Sequence, residues 1–178
     1  MRRNVSLLLA IGLVQAAQAL ILAGNADAAC NSVAGGTSAN ISLVITRQMS
    51  LGTFTRPNTG IASIKLAADG TRTVPANLNI QKDARPNAAN APYAATAEIS
   101  GGAGCAFKIT TTISSGSLHW VTMQPATGYA LSSTGSPAQG TLDAVGRFKF
   151  TIGVTSTVSD ALSNSPVGGT ISIQVTYI

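Results

Sequence analysis

The sequence predicts an all-β chain with the architecture of an immunoglobulin-like β-sandwich. Short segments in which apolar and polar residues alternate recur along the chain, and clusters of glycine, proline, asparagine and aspartate separate them. Successive side chains of a strand point to opposite faces of a sheet, so each segment is typical of a half-buried strand. After the first residues, no stretch repeats apolar residues at helical spacing over three turns. A β-barrel is the alternative architecture.

The predicted strands follow one another at near-regular spacing. A flexible lead-in at 31–40 precedes the first of them, and Asp69-Gly70 has the composition of a turn that joins antiparallel strands. The glycine cluster Gly101-Gly102-Ala103-Gly104 predicts a second hairpin between the segments on either side of it. In chain order, the predicted strands cover residues 41–45, 62–66, 71–80, 93–99, 105–113, 118–123, 147–155 and 171–178.

The last strand raises the question of what pairs with it. Ile171, Ile173, Val175 and Tyr177 fall on one face of an extended chain, with polar residues between them. Unpaired, such a strand presents a free row of backbone donors and acceptors, which is a template for another strand. We therefore expect the last strand to take part in assembly.

The two ends of the first segment indicate export. Arg2 and Arg3 precede an apolar stretch, and Ala26-Asp27-Ala28 is a small-x-small cleavage site. We expect residues 1–28 to be a signal peptide, with cleavage one residue later as the alternative. The mature domain at 29–178 then has the size of one domain. We expect it in the periplasm, at the cell surface or outside the cell, with no membrane span.

Two cysteines, Cys30 and Cys105, are present. In an exported chain an even number of cysteines favours a disulfide, which here would close a long loop and contribute about 4 kcal/mol in the chain-entropy model. A bond between subunits through Cys30 and a pair of free thiols are the alternatives.

The residues needed for catalysis are scarce. Acid and base chemistry needs positioned histidine or carboxylate groups, whereas the chain holds one histidine, His119, and its aspartates occupy turn contexts where they cap the backbone. The scattered basic residues do not form the stripe of a nucleic-acid binder. We expect no enzyme activity, no catalytic residue, no cofactor, no metal site and no nucleic-acid partner.

Three aromatic residues have a second interpretation. Trp120, Tyr93 and Tyr129 are expected mostly in the core, since aromatic residues are few. An exposed member of this group would be able to stack on a sugar ring.

Four short motifs of the chain form a recognisable set, namely Met49-Ser50-Leu51-Gly52-Thr53-Phe54, Cys105 to Ile109, Gly146-Arg147-Phe148 with Ile152-Gly153-Val154, and Gly169 to Tyr177. Together they resemble an exported, pilin-like bacterial family known as the DUF4402 domain. The closing alternation with its penultimate Tyr177 also resembles spore-coat-U-like secreted pilus proteins. That resemblance implies a sandwich that lacks one strand and receives it by strand addition.

The function predicted from these observations is that of an exported structural subunit of a bacterial surface fibre or matrix. Its partners would be copies of itself, other pilin-like subunits or a periplasmic chaperone. The donor strand would be Ile41, Leu43 and Ile45, and the last strand would form one side of the acceptor groove. The alternative is a monomeric sandwich that binds surface ligands or carbohydrate, as an adhesin does, through loops 81–92 and 125–139.

Overall fold

The computed structural model describes residues 5–11, 30, 40–52, 60–76, 91–159 and 169–178, with the backbone alone for 5–11, 115 and 116. These residues form strands and no helix, in agreement with the all-β prediction. The ten strands are β1 Val5–Ile11, β2 Ser42–Arg47, β3 Ile61–Leu66, β4 Arg72–Thr73, β5 Ala95–Ser100, β6 Ala106–Gly116, β7 Leu118–Pro125, β8 Ala138–Thr141, β9 Arg147–Ser159 and β10 Gly169–Tyr177, of which β1 and β8 lie in segments where no strand is predicted. A helix long and apolar enough to cross a membrane is not found among them.

The strands form two antiparallel sheets that pack as a β-sandwich. The four-stranded sheet has the order β1-β10-β6-β8. The six-stranded sheet has the order β2-β5-β9-β3-β4, and β7 pairs with β9 as well. The predicted all-β sandwich is therefore confirmed.

The long strand β9 organises the six-stranded sheet. Its first half pairs with β5 and its second half with β3, while β7 pairs with residues 150–156 and overlaps both. Each edge of a strand holds one partner at a given position, so β7 must lie on the opposite edge from β5 and β3. Gly153 stands where β5 gives way to β3, and a side chain there would collide with the backbone of Leu66 and Ala67. A glycine lets the two strands share one edge.

The core lies between the two sheets. The alternation predicted for β9 is confirmed, because Phe148, Phe150, Ile152 and Val154 are all buried. Phe107 of β6 meets Phe148 edge to face, with ring centroids 4.8 Å apart, so the aromatic contact joins one sheet to the other.

Two predicted hairpins have different outcomes. The turn at Asp69-Gly70 joins β3 to β4, which pair antiparallel as expected, although β4 has only two residues. The hairpin predicted around the glycine cluster at 101–104 is wrong, because β5 belongs to the six-stranded sheet and β6 to the four-stranded sheet. The glycines carry the chain from one sheet to the other. Gly101 allows this crossing because a side chain there would collide with the hydroxyl of Tyr177.

Candidate functional site: the edge of the last strand

The last strand is built as a half-buried strand that seals the core on one face. Ile171, Ile173 and Val175 have no solvent exposure, as their alternation predicts, and the residues between them are half-buried. Complete burial of an aliphatic side chain contributes about 1.5–3 kcal/mol. These three residues therefore hold β10 firmly in the sandwich, whatever lies along its edges.

One edge of β10 is paired with β6. The antiparallel ladder runs from Gly169 opposite Gly116 to Tyr177 opposite Phe107, and its register shifts between Thr170 and Ile171. This edge is made by the domain's own residues.

The other edge of β10 is paired with β1. Val5 lies opposite Val175, Leu7 opposite Ile173, and the ladder continues without a shift to Ile11 opposite Gly169. The residues of β1 belong to the segment that the sequence predicts to be an export signal. We call the edge that β1 covers the acceptor edge of β10, because cleavage of the predicted signal would remove its partner.

Tyr177 fixes the end of the acceptor edge. Its phenolic oxygen accepts a hydrogen bond from the backbone N–H of Gly102, 2.7 Å away. The bond connects the penultimate residue to the crossing between the two sheets. Tyr177 is partly buried against the core, so its predicted position on the apolar face of the last strand is confirmed.

The predicted disulfide is present within the chain. Cys30 and Cys105 are bonded, with their Cα atoms 5.7 Å apart and a sequence separation of 75. Cys105 directly precedes β6, whose first residue accepts a hydrogen bond from the N–H of Ile178 at 3.2 Å. The bond thus ties Cys30 to the end of the domain at which β10 finishes.

The predicted donor strand pairs inside its own chain. Leu43 lies opposite Ile99 and Ile45 opposite Ala97 in an antiparallel ladder between β2 and β5. Ile41 and Leu43 have no solvent exposure, and Ile45 packs against the core. Donation to another chain would require β2 to leave this ladder and expose those side chains, so the donor role stays a prediction with a high energetic cost.

The turn-rich segment at 125–139 borders an open groove of about 550 Å3, which includes Tyr129, Leu131, Gln139, Asp143 and Ile178 among its lining residues.

The Tyr129 hydroxyl donates to Asp143 Oδ2 at 2.8 Å, and the Oδ1 atom of Asp143 accepts the N–H of Arg147 at 2.8 Å. The backbone N–H of Arg147 is the main cause that lowers the pKa of Asp143. The hydrogen bond to Asp143 in turn raises the pKa of Tyr129.

Both oxygens of Asp143 are thus engaged in holding the turn before β9. The carboxylate acts as the backbone cap that the sequence predicts for turn aspartates, and Asp69 does the same by accepting the N–H of Thr71 at 2.8 Å. Within the described ranges, no three His, Cys, Asp or Glu side chains are grouped closely enough to hold a metal ion. The other predicted ligand-binding loop, 81–92, falls almost wholly outside the described residues.

The aromatic residues are divided between core and surface. Tyr129 stacks at a tilt on Phe148, with centroids 4.9 Å apart, and Tyr93 lies under the guanidinium of Arg47 at 4.1 Å. Trp120 is 73% exposed. Trp120 is therefore the exposed member of the three, and the sequence carries no signal that separates it from the other two.

Comparison with known families gives a match over most of the chain. The model described as "Domain of unknown function (DUF4402)" matches residues 41–177. The match covers β2 through β10 and leaves out β1 and Cys30. No curated protein and no solved structure matches the chain.

Proposed function

The chain belongs to the DUF4402 family, and we propose that it is an exported structural subunit that receives a β-strand from another protein at the acceptor edge of β10. The observation that carries this proposal is the β1–β10 ladder. Seven residues that the sequence predicts to be part of a cleaved signal occupy the edge of β10 from Gly169 to Val175. Once those residues are removed, the edge needs a new partner.

An open edge at this place has a high energetic cost. The backbone groups of β10 that face β1 lose their ladder hydrogen bonds when β1 is removed. They lie beside Ile171, Ile173 and Val175, which are completely buried in the complete sheet. An extended apolar segment from another chain would restore both the hydrogen bonds and the cover, which is the physical basis of strand addition.

The donor we propose comes from a different protein and not from the β2 segment of a second copy. Residues 41–45 are committed to the six-stranded sheet. With cleavage after Ala28, the mature chain would begin one residue before Cys30, which is bonded to Cys105. The segment 31–39 holds one large apolar residue, Val33. The mature domain therefore accepts a strand without offering an equivalent one, as a terminal subunit or a chaperone-held subunit would.

The direct test is to supply the missing strand. Residues 29–178 would be titrated with a peptide of residues 5–11 flanked by lysines for solubility, and the melting temperature would be followed. A ligand that binds only the folded state at 100 times its dissociation constant stabilises it by about 2.7 kcal/mol. We expect the peptide to raise the melting temperature. A peptide with aspartate at positions 7 and 9 is the matched control, and we expect no rise with it.

Size-exclusion chromatography with light scattering, with and without reductant, completes the test. Residues 29–178 with an open edge should self-associate or need the peptide to remain soluble, and reductant should not dissolve the assemblies because the disulfide lies within the chain. A stable monomer that ignores the peptide would overturn the proposal.

One observation favours the second candidate, a self-contained sandwich that binds surface ligands. Because β2 pairs with β5 in its own chain, the mature domain keeps a complete six-stranded sheet. The peptide titration separates the two candidates, and deletion of residues 29–46 tests the donor role that the sequence predicts for β2. Loss of assembly with a fold that a chaperone rescues would support strand donation by β2, whereas plain unfolding would support the internal role of β2.

A further inference from the structure

Trp120 lies on the surface, where a large aromatic side chain is uncommon. It is the only tryptophan of the chain, and it stands on β7 with 73% of its surface exposed. A large aromatic side chain normally stabilises a fold by being buried. An exposed Trp120 does not provide this stabilisation. An exposed aromatic ring is therefore a candidate for recognition.

A β-bulge aims the ring outward. Leu118 pairs with Ser156, but the next pair along the ladder joins Trp120 to Thr155, so His119 is the extra residue. Leu118 is buried, whereas His119 and Trp120 are both exposed. The Nε2 atom of His119 lies 2.7 Å from the hydroxyl of Thr157, and this hydrogen bond holds the imidazole against β9.

The strands next to Trp120 extend the same outward face. Thr155 of β9 lies opposite Trp120 and also opposite Lys65 of β3, which in turn lies opposite Thr73 of β4. This row crosses four strands, or about 14 Å at the usual spacing between strands. A second row contains Thr157 opposite Ser63. We call the two rows and His119 the Trp120 platform.

The platform combines one apolar ring with hydroxyl, imidazole and ammonium groups. The cores of protein interfaces contain aromatic side chains beside other apolar side chains, whereas the neighbours of Trp120 in this row are polar. A pyranose ring with all its substituents equatorial has the complementary form, because its axial C–H bonds make an apolar face and its hydroxyls form a polar rim.

We propose that the Trp120 platform binds a β-1,4-linked polysaccharide of the glucan or chitin type. One pyranose ring stacks on the indole, and the following units lie along the row over Thr155 and Lys65, whose hydroxyl and ammonium groups hydrogen-bond to the sugar hydroxyls. The row has about the length of a trisaccharide. The platform is on the outward face of the six-stranded sheet, whereas the acceptor edge belongs to the four-stranded sheet, so binding requires no strand addition.

The test uses the fluorescence of Trp120, which reports on the site alone because the chain has no other tryptophan. The purified full-length chain would be titrated with cellohexaose, chitohexaose and the α-linked maltohexaose. We expect a saturable change in emission, with protection from acrylamide quenching, for at least one of the two β-linked sugars. Maltohexaose should be at least tenfold weaker, because its curved chain does not follow a flat row.

Variants followed by isothermal titration calorimetry locate the site. We expect Trp120→Ala to weaken binding at least tenfold and Lys65→Met to weaken it severalfold. Val145→Ala is the matched control, because Val145 is 76% exposed and lies in the turn before β9, and it should bind as the wild type does. Both exposed positions tolerate truncation without loss of core packing, and circular dichroism checks this.

Three outcomes would overturn the proposal. They are no emission change with any of the three sugars, calorimetric binding that survives Trp120→Ala, and a Trp120→Ala effect on self-association in place of sugar binding. The last result would assign the indole to a contact between protein subunits.

Discussion

The two sheets of this sandwich differ in where their edges come from. The six-stranded sheet is made wholly of strands between residues 42 and 159, and both β2 and β7 reach their partners inside the domain. The four-stranded sheet completes its edge with β1, which the sequence assigns to a signal for export. The predicted cleavage would leave the six-stranded sheet with all its strands and would remove one strand from the four-stranded sheet. A sheet edge that depends on a removable segment is recognised by the residues that form its partner strand. This holds even when every strand of the folded chain is paired.

The largest effect that would test this difference is removal of residues 1–28. We expect the free energy of unfolding to fall by more than about 4 kcal/mol, since β1 and β10 are paired over seven residues and each ladder hydrogen bond contributes about 1 kcal/mol. Denaturant unfolding would measure the loss.

Hydrogen exchange would show where that loss falls. Amides of residues 169–177 should exchange faster in the shortened chain, while those of the β5–β9 ladder keep their relative protection. Equal changes in both sheets would contradict the comparison.

Replacement of both Cys30 and Cys105 by serine should have the second largest effect. The loop that the bond closes has a sequence separation of 75 residues, for which the chain-entropy model gives about 4 kcal/mol. Thermal unfolding of the oxidised wild type, the reduced wild type and the double variant would measure it. The reduced wild type and the double variant should agree, and a double variant as stable as the oxidised protein would show that the bond adds nothing.

Gly153→Ala would test the packing of the six-stranded sheet. The new Cβ atom would collide with the carbonyl oxygen of Leu66 and lie 2.5 Å from backbone atoms of Ala67 and Ala68, so we expect a loss of about 1–3 kcal/mol from overpacking. Gly135→Ala is the matched control, because its Cβ atom would meet only Ser133 Oγ at 3.7 Å. If the two variants have similar stabilities in chemical denaturation, a glycine at position 153 is not required for β5 and β3 to share one edge of β9.

The smallest effect concerns acid stability. Hydrogen bonds from the backbone lower the pKa of Asp143 below its usual value. A carboxylate with a depressed pKa stabilises the fold above its unfolded pKa, and this contribution is lost as the pH falls through the folded value. The stability of the wild type should therefore decline more steeply below about pH 4 than that of Asp143→Asn.

A second turn cap is Asp69, between β3 and β4, whose pKa is lowered in the same direction by the N–H of Thr71. The variant Asp69→Asn should reduce the acid dependence in the same sense. If neither substitution changes the slope of stability against pH, the two turn caps do not contribute to acid unfolding.

Alternation along the chain predicted much of the fold, because residues that face a core must recur every second position. Strands β9 and β10 are the clearest cases, with buried Phe148, Phe150, Ile171 and Ile173. The sequence predicted less well which sheet each strand joins. The glycines at 101–104 fit a hairpin as well as a crossing, and only contacts distant in sequence, such as the bond from Gly102 to Tyr177, distinguish the two.

The site was predictable only in part, for a similar reason. Strict alternation places Trp120 on the same face as Leu118, yet the bulge at His119 turns Trp120 to the outside. The sequence also did not predict the partner of β10, because nothing in a signal-like apolar segment indicates that it pairs with a sheet edge. Both cases depend on register, which one strand alone does not specify.

The disulfide has a mechanical consequence. Cys30 is joined to Cys105, and the neighbouring Ala106 accepts the N–H of Ile178, so Cys30 and Ile178 lie at the same end of the sandwich. A pulling force between Cys30 and Ile178 would pass through the disulfide and then through the hydrogen bonds between β6 and β10. The six-stranded sheet would bear no load and the Trp120 platform would keep its shape under tension.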